Sequence, residues 1–530
     1  MLYSRRCPGH DRLVSIDLSL LPDEVRALIA AQAATIARQQ VELDGQQARI
    51  ALLRAQLAKL RRLQFGRSSE KLDTAITQLE LALEDLEEET GAKAAAQPPE
   101  PTRDDAGKVK PIRRPLPAHL PRDVIEHAAA CVCQACGGTL RPLGEDVTEV
   151  LDYVPASFRV IRHVRPKFSC RSCETITQAP APSLPIRRGR AGAGLLAHVL
   201  VAKFCDHLPL YRQSEIYARE GVQLERSTLA DWVGKASALM RPLVDVLERH
   251  VLAAERLHAD DTPVPVLAPG TGKTSTGRLW AYLRDERSYG GTAPPAVRYR
   301  YTPDRRGEHP MAHLAGFRGV LQADGYAGFG GLYEGGKVVE AACWAHVRRK
   351  FHDIHAAGAT SPLAREALER IGKLYAIEER INGKPPDLRM RIRQAEAVPL
   401  LDDLKLWLET TRTRLSGRSD IASAIRYALS RWAALVRYVD DGTIAIDNNP
   451  VERAMRPVAL GRKNWLFAGS DAGGERAAAI YSLIGTAKLN GLDPEAYLRH
   501  VISRIADHPV NRVDELLPWN VAIDLASTQD

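Results

Sequence analysis

Three acidic side chains stand in sequence contexts that suit metal-dependent chemistry. Asp260, in residues 257–263, and Asp324, in residues 319–326, each follow a short apolar run and precede turn residues. This pattern is typical of a strand end, where a sheet presents its functional side chains. Glu452 follows a predicted helix start. Two aspartates and one glutamate can hold a pair of divalent cations for phosphodiester chemistry, and hard oxygen ligands suit Mg²⁺ or Mn²⁺.

The stretch around Glu452, residues 446–456, predicts a helix N-terminus. One of the polar residues at 447–449 can cap the first backbone N–H groups, and Pro450 fits the first helical position. Arg453 and Arg456 then lie beside the glutamate or one turn beyond it, as candidate DNA contacts. A carboxylate flanked by two guanidinium groups is often only a surface ion-pair cluster. The two aspartate motifs favour the catalytic interpretation.

The three stretches resemble the DDE motifs of bacterial insertion-sequence transposases of the insertion-sequence-66 type. That family typically shows Asp-Glu-Thr, Asp-Gly-Tyr and Asn-Asn-x-x-Glu-Arg motifs. The second is matched at residues 324–326 and the third at 448–453, whereas the first reads Asp-Asp-Thr at 260–262. By position Asp260 is then the catalytic residue. We expect Asp261 to support the site without binding metal.

The resemblance covers nearly the whole chain and implies an α/β fold with a ribonuclease-H-like catalytic core. In that fold the first aspartate lies on the first strand and the second on the fourth. We expect Asp260, Asp324 and Glu452 to be the metal ligands, with no covalent protein intermediate. Water would be the nucleophile for nicking and a DNA 3′-hydroxyl the nucleophile for strand transfer. The implied partners are the terminal inverted repeats, target DNA and small accessory proteins of the same element.

Two other classes of function stay open on the sequence alone. An inactive or domesticated copy would be a DNA-binding protein without catalysis, although a decayed copy has no reason to keep all three carboxylates. A metal-dependent nuclease would cut DNA without strand transfer, and release of a joined product separates it from a transposase.

The composition restricts the class of protein to which this chain can belong. The chain has 530 residues, with 45% hydrophobic and 26% charged side chains, which predicts a globular protein of several domains. The net charge of +8 permits nucleic-acid binding without requiring it. The sequence contains no apolar run of about 18 residues and no apolar signal core near its N-terminus. We therefore expect a cytoplasmic, nucleoid-associated protein with no membrane segment.

We divide the chain into segments by pattern and composition. The predicted segments are an N-terminal tail (1–22), coiled-coil helices (23–90), a linker (91–125), a zinc-finger-like module (126–180), a helical DNA-binding region (185–250), the catalytic domain (251–485, with a helical insertion at about 351–441) and a C-terminal segment (486–530).

A heptad pattern occupies the N-terminal helices. Apolar residues recur every seven positions at Ile29, Ile36, Leu43, Ile50 and Leu57. This spacing predicts a coiled coil and a homo-oligomer. Glutamines at 32, 39 and 46 weaken the seam, so an amphipathic helix packed on its own protein is the alternative. The linker, rich in Ala, Pro, Lys and Arg, is predicted to be a tether.

Two Cys-x-x-Cys pairs, Cys133 with Cys136 and Cys170 with Cys173, flank strand-like segments at residues 147–153 and 158–164. Each pair can offer two thiolates to one tetrahedral ion, so we predict structural Zn²⁺ in a zinc-ribbon-like module. Cys131 could replace Cys133 as a ligand. A module that has lost its metal is the alternative.

Residues 191–240 predict three helices, with a glycine turn near Gly221 and a third helix capped by Ser227. This outlines a helix-turn-helix, with Arg226, Ser227 and Thr228 nearest the DNA groove. An ordinary helical bundle shows the same pattern, and the resemblance to transposases is what favours DNA binding.

The catalytic domain alternates strands and loops before its insertion. Strands are predicted at residues 257–259, 278–283, 296–301, 319–323 and 338–342. Cys343 and His346 resemble the Cys-x-x-His signature that follows the second aspartate in several DDE transposase groups. We interpret them as a structural pair, with metal binding as the alternative. Arg348 and Arg349 would hold DNA phosphates. Whether the insertion covers the site or holds DNA is left open.

Overall fold

The computed structural model describes residues 115–521, except 119, 128–134, 139, 155–156, 188, 269–272, 357–360 and 466–467, together with scattered positions between residues 22 and 50. The chain divides into two compact units, Met1–Ser68 and Ser69–Asp530. In the first unit, the described residues from Val25 to Ile50 are helical. The predicted coiled-coil seam lies largely outside the described residues, as do linker residues 91–114 and the zinc-ligand candidates Cys131 and Cys133.

A four-stranded sheet, built on one long antiparallel hairpin, forms the cysteine-bearing module. Its strands are β1 (Arg122–Glu126), β2 (Leu140–Val154), β3 (Ser157–Cys170) and β4 (Ile176–Gln178), and β3 pairs with each of the other three. Both predicted strand segments lie within the hairpin of β2 and β3. Opposite charges pair across it, as in Lys167 Nζ to Asp146 Oδ1 at 2.7 Å.

Four helices join this module to the central sheet. They are α1 (Ala193–Phe204), α2 (Leu210–Arg219), α3 (Arg226–Leu239) and α4 (Arg241–Leu252). Asp152, on β2, accepts a hydrogen bond at 3.0 Å from the N–H of Leu195 in the first turn of α1. The buried faces of α1–α4 share one hydrophobic core with the sheet that follows. The helical region therefore packs as part of the catalytic body.

The start of α3 differs from our expectation. The helix begins at Arg226, and the Glu225 carbonyl accepts its first N–H groups, from Thr228 and Leu229. Ser227 is thus the second helical residue, and the prediction that it caps the helix is wrong. The reason is that Glu225 already has the extended backbone conformation of a cap residue, and no side-chain cap is formed there.

The central sheet has five strands in the spatial order β7-β6-β5-β8-β9. They are β5 (Arg256–Ala268), β6 (Lys273–Arg284), β7 (Ala296–Thr302), β8 (Gly319–Ala323) and β9 (Val338–Ala342). The strands β5, β6 and β7 are antiparallel neighbours, whereas β8 pairs in parallel with both β5 and β9. The bounds of β8 and β9 match the predicted ones. Strand β7 is buried at nearly every position, as expected for a sheet covered on both faces.

Helices complete the fold. The short helices α5 (Glu308–His313) and α6 (Gly330–Glu334) lie between strands. The insertion comprises α7 (Trp344–Ala356), α8 (Pro362–Ile381), α9 (Pro386–Ile392), a π-helical turn (Arg393–Ala397), α10 (Val398–Thr413), α11 (Asp420–Ser430) and α12 (Trp432–Val436). It is helical, as predicted, and has its own hydrophobic core, which also contains Ile444 and Ile446.

Three helices follow the insertion: α13 (Asn449–Trp465), α14 (Asp471–Leu489) and α15 (Pro494–Arg504). Short 3-10 turns at Arg287–Tyr289, Ala327–Phe329, Arg437–Val439 and Val510–Leu516 fill the remaining connections. Across the described part of the chain, no helix combines the length and apolar character needed to cross a membrane.

Candidate active site

Asp260 lies just beyond the point where strands β5 and β8 stop pairing. Parallel pairing between β5 and β8 ends at His258 opposite Gln322, and Asp324 directly follows β8. Continuing that register by two residues brings Asp260 level with Asp324 on the same side of the sheet. Strand β5 does not end there, contrary to our expectation, because its pairing with β6 continues to Ala268. Asp260 is therefore inside a strand, at the edge left open by the end of β8.

Glu452 reaches this edge from the first turn of α13. Asn448, which is fully buried just before the helix, fixes this approach. Its side-chain amide donates to the Ala259 carbonyl at 2.8 Å, and its Oδ1 lies 2.9 Å from Nδ1 of His258. Among the predicted capping residues, Asp447 accepts the N–H of Asn449 at 3.1 Å. The helix carrying Glu452 is thus tied to the strand carrying Asp260.

The three carboxylates interact electrostatically. Burial, followed by the negative charge of Asp324, raises the pKa of Asp260 to about 7, and Asp261 and Glu452 contribute in the same direction. Such a shift means that neither solvent nor nearby positive charge compensates the Asp260 carboxylate in the protein alone. A divalent cation among them would remove this repulsion. The predicted catalytic residues Asp260, Asp324 and Glu452 therefore form one electrostatically coupled cluster.

Asp261 points to the opposite side of β5 and has a different environment. Its side chain is only 2% exposed. It accepts hydrogen bonds from Arg278 Nη1 at 3.0 Å and from Arg305 Nη2 at 2.7 Å. The same Arg305 Nη2 lies 3.9 Å from Asp324 Oδ2. Asp261 therefore anchors a guanidinium group that stands beside the second aspartate.

Cys343 and His346 lie at the start of α7, directly beside Glu452. The Cys343 sulfur accepts the N–H of Asn448 at 3.1 Å, and burial raises the pKa of this thiol to about 12. Nδ1 of His346 lies 3.7 Å from Oε1 of Glu452. Cys343, His346 and Glu452 offer donor atoms that all lie within 4.8 Å of one another. The cysteine is therefore bonded to the segment before α13, and its sulfur, an imidazole nitrogen and a carboxylate oxygen face one another.

The helical insertion contacts the second aspartate from outside the sheet. The hydroxyl of Tyr427 donates to the Asp324 carbonyl at 3.0 Å, and Arg431 Nη2 donates to the Gly325 carbonyl at 2.6 Å. Gly325 has a φ of 82°, which favours glycine, and a Cβ there would lie 2.3 Å from the Arg431 guanidinium. The insertion therefore packs against the loop that carries Asp324.

A buried arginine of the insertion also holds the segment before Glu452. Arg393, in the π-helical turn, is fully buried and pairs with Glu378 at 2.6 Å. Its guanidinium donates to the carbonyls of Tyr438, Asp441 and Ile444, at 2.7, 3.0 and 3.0 Å. The chain that leads into the Asn-Asn-x-x-Glu-Arg motif is thus fixed by the insertion, a role that its sequence did not indicate.

The predicted DNA contacts fall into two groups. Arg348 and Arg349, on α7, and Arg453 and Arg456, on α13, are exposed on the two helices that carry His346 and Glu452. Arg349 Nη2 lies 3.2 Å from Glu452 Oε2. The other group, Arg226, Ser227 and Thr228, is half-buried at the start of α3. Half of the residues of α3 are buried and the others are half-buried, so the first turn offers these three side chains only in part to a DNA groove.

A second metal-ligating cluster lies in the hairpin module. The Cys136 sulfur is 3.4 Å from that of Cys170 and 3.3 Å from that of Cys173. Sulfurs bound tetrahedrally to one zinc at about 2.3 Å lie within about 3.8 Å of each other. Backbone N–H groups of Cys173 and Ser172 lower the pKa of the Cys170 thiol. Three of the four predicted ligands therefore converge, and Cys133 lies outside the described residues.

Sequence reasoning missed several residues of the site. Asn448 belongs to the Asn-Asn-x-x-Glu-Arg motif but was considered only as a helix cap. His258, Arg305, Tyr427 and Arg393 had no local signal, because each acts on a segment distant in sequence. The contact between His258 and Asn448, for example, joins residues 190 positions apart.

Comparison with known proteins agrees with this architecture. Four family models match: "Transposase IS66 family" at residues 188–476, "IS66 C-terminal element" at 482–519, "zinc-finger binding domain of transposase IS66" at 130–174 and "Transposase C of IS166 homeodomain" at 52–125. The first spans more than half of the chain.

Similar full-length proteins occur in Sinorhizobium fredii (strain NBRC 101917 / NGR234). The uncharacterized protein y4hP is 45% identical over 493 residues, covering 89% of this chain and 88% of its own. The uncharacterized protein y4qI is 40% identical over 514 residues, covering 94% of each chain. Since both the family model and these relatives span most of the catalytic body, the chain belongs to the IS66 family of insertion-sequence transposases, for which DNA is the partner.

Proposed function

We propose that this transposase cleaves DNA at the terminal inverted repeats of its element and joins the ends to target DNA, with Asp260, Asp324 and Glu452 as ligands of Mg²⁺ or Mn²⁺. The observation that carries the proposal is the convergence of these carboxylates at one open sheet edge, where burial and then the negative charge of Asp324 raise the pKa of Asp260 to about 7. Buried acidic groups with strongly perturbed pKa values cluster at functional sites.

The donor set fits divalent cations. Asp260, Asp324 and Glu452 supply hard oxygen atoms, the ligands that Mg²⁺ and Mn²⁺ prefer. Oε1 of Glu452 is buried and has no hydrogen-bond partner among the described residues. Bound cations would activate the attacking oxygen and stabilise the leaving one. The chain itself fixes the three carboxylates, through Asn448 at α13 and Tyr427 at the Asp324 loop.

The sheet supports a ribonuclease-H-like core. Its spatial order is β7-β6-β5-β8-β9, and β5 is the first strand of the domain along the chain. This middle strand has an antiparallel neighbour, β6, on one side and a parallel neighbour, β8, on the other. Asp260 lies on the first of these strands and Asp324 follows the fourth. This is the arrangement that the resemblance implies for a DDE domain.

DNA would be held mainly by exposed cations around the site. Arg348, Arg349, Arg453 and Arg456 can contact phosphates, which fixes the register of the duplex without reading its sequence. Arg226, Ser227 and Thr228 are the proposed contacts in the helical region. The N-terminal helices would provide self-association, and accessory proteins of the element are proposed as further partners. We also propose that Cys170, Cys173, Cys136 and either Cys133 or Cys131 bind structural Zn²⁺.

Cleavage of supercoiled plasmid carrying the element's ends, with Mg²⁺ or Mn²⁺, tests the proposal. Wild-type protein is expected to cut at the ends, and Glu452→Gln to bind the same DNA without cutting. Glu475→Gln, an exposed change on α14, is the matched control and should cut normally. Cutting by Glu452→Gln at the wild-type rate would overturn the assignment. Cut ends without any joined product would favour a nuclease that lacks strand transfer. If both proteins bind the DNA and neither cuts it, the result would favour an inactive DNA-binding copy.

A further inference from the structure

We propose that His346 is a fourth protein ligand of the active-site metals, and that its Nδ1 shares one cation with Oε1 of Glu452. The inference rests on the proposed function, because it adds a donor to the same site. It goes further in making the two metal positions chemically unlike. The position near Glu452 would have a mixed nitrogen and oxygen donor set, and the position between Asp260 and Asp324 an all-oxygen one.

The first support is the separation of the two atoms. Nδ1 of His346 and Oε1 of Glu452 lie 3.7 Å apart, which is too far for a hydrogen bond. Two donors bound to one ion at about 2.1 Å each can be at most about 4.2 Å apart. The observed distance therefore fits an ion placed between them.

The second support is that both atoms are buried and unsatisfied. Neither His346 Nδ1 nor Glu452 Oε1 has a hydrogen-bond partner within the described part of the chain, and both are shielded from solvent. A buried polar atom without a partner destabilises the folded protein, so two such atoms facing each other call for a shared occupant. The other carboxylate oxygen, Oε2, is held by Arg349 at 3.2 Å, which leaves Oε1 free for that occupant.

The neighbouring cysteine has a different part in the arrangement. Its sulfur already accepts the N–H of Asn448 at 3.1 Å and the backbone N–H of His346. These bonds tie the start of α7 to the start of α13, so the imidazole and the carboxylate are held in fixed relation. Because a soft thiolate is also a poor ligand for Mg²⁺ or Mn²⁺, we assign Cys343 as a positioning residue and His346 as the ligand of the Cys-x-x-His pair.

A nitrogen donor changes the preference of the site among metals. Both ions prefer oxygen ligands, but Mn²⁺, as a transition metal, accepts an imidazole nitrogen more readily than Mg²⁺, which keeps oxygen atoms and water. The Glu452 position should therefore bind Mn²⁺ more tightly than Mg²⁺, and this preference should depend on His346. Replacement of a protein ligand is expected to weaken Mn²⁺ binding at least about 10-fold, since even outer partners of metal ligands contribute 10–100-fold.

The test measures Mn²⁺ bound to the full-length protein by pulsed electron paramagnetic resonance, together with its dissociation constant. Wild-type protein with ¹⁵N-labelled histidine is expected to show nitrogen coupling from one imidazole. His346→Gln should lose this coupling and bind Mn²⁺ at least about 10-fold more weakly. His352→Gln, an exposed histidine on the same helix, is the matched control and should retain both.

The outcomes separate the role of His346 as a ligand from the carboxylate metal site of the proposed function. Mn²⁺ that binds without nitrogen coupling, but is lost in Glu452→Gln, would overturn the role of His346 and leave the carboxylate site intact. Coupling that persists in His346→Gln would assign it to another histidine and overturn the inference. Absence of any Mn²⁺ site would overturn both this inference and the proposed metal dependence. If His346→Gln does not fold, His346→Asn is measured in its place: loss of the coupling supports the inference, and its persistence overturns it.

Discussion

Replacing Asp260 by Asn should stabilise the protein in the absence of divalent cations, although it removes a proposed catalytic residue. Asp260 is largely buried, and its carboxylate is repelled by those of Asp324, Asp261 and Glu452. Without a cation, the folded state therefore carries the cost of an uncompensated negative charge. Asparagine keeps the shape of the side chain and removes that charge.

The sign and size of this stability change follow from the pKa of Asp260. That pKa is about 7 in the folded protein, above the ordinary value of 3.8 that applies to an unfolded chain. Between these values the folded state binds the additional proton, so stability falls as the pH rises from about 4 to about 7 and stays low above it. At about 1.4 kcal/mol per pH unit, the upper limit of the loss is about 4 kcal/mol. Relaxation around the charge should reduce it to about 1–2 kcal/mol.

The assay is thermal or denaturant unfolding of wild type and Asp260→Asn in magnesium-free buffer, with zinc retained, at pH 4.5 and pH 8. The variant should unfold at nearly the same point as wild type at pH 4.5 and at a higher one at pH 8. Adding Mg²⁺ at pH 8 should stabilise the wild type and not the variant.

The adjacent aspartate is the matched control, because it has the opposite environment. Asp261 accepts hydrogen bonds from Arg278 and Arg305, so Asp261→Asn leaves two guanidinium groups short of their partner. Both arginines are partly exposed, so we expect a destabilisation of about 1–3 kcal/mol at pH 8. Destabilisation by Asp260→Asn at pH 8, or a gain independent of pH, would refute the reasoning.

Three further predictions concern residues that support the two clusters. Arg393→Met should destabilise the protein by about 3–5 kcal/mol in urea unfolding, because its glutamate partner and three carbonyls lose their donor. The control Arg391→Met, at an exposed neighbouring position, should change stability by less than about 0.5 kcal/mol. Equal effects of the two substitutions would contradict the role of Arg393. Asn448→Ala should cost about 1–3 kcal/mol and abolish plasmid cleavage, since α13 loses its bonds to β5; normal cleavage would count against it. Cys170→Ser should lose the bound zinc measured by atomic absorption, whereas Cys205→Ser should keep it, and zinc retained by the first variant would exclude Cys170 as a ligand.

Part of this architecture follows from local sequence. Strands β8 and β9 were predicted with their observed bounds, because each is a short, mainly apolar run beside turn residues: Asp324 and Gly325 follow β8, and Gly335 and Gly336 precede β9. The prediction that Asp260, Asp324 and Glu452 form one cluster came from the resemblance of their flanking motifs to the DDE motifs.

The course of β5 could not be predicted in the same way. The two aspartates and the prolines after Ala259 disfavour a strand, yet the strand continues because β6 pairs with it as far as Ala268. Prolines lack the N–H that a central strand needs and occur at sheet edges. Pro263 and Pro265 fit here because β5 has by then separated from β8. Long-range pairing, which the local pattern does not contain, therefore decided the outcome.

The role of the insertion was similarly hidden. Its helices were predictable, but nothing in the sequence around Arg393 indicates that this arginine is buried. Only the folded chain brings this guanidinium to the carbonyls that precede Glu452, across 45 to 51 positions of sequence. Contacts of this kind depend on the packing of two cores and leave no periodic signal.

The most direct test of the central claim is strand transfer from a pre-cut end. A duplex that carries the element's terminal repeat with a free 3′-hydroxyl would be incubated with target plasmid, Mg²⁺ or Mn²⁺, and wild type, Asp260→Asn, Asp324→Asn or Glu452→Gln. We expect joined product with the wild type alone, while all four proteins bind the end. Joining by any of the three variants at the wild-type rate would contradict the assignment of these carboxylates as one active site.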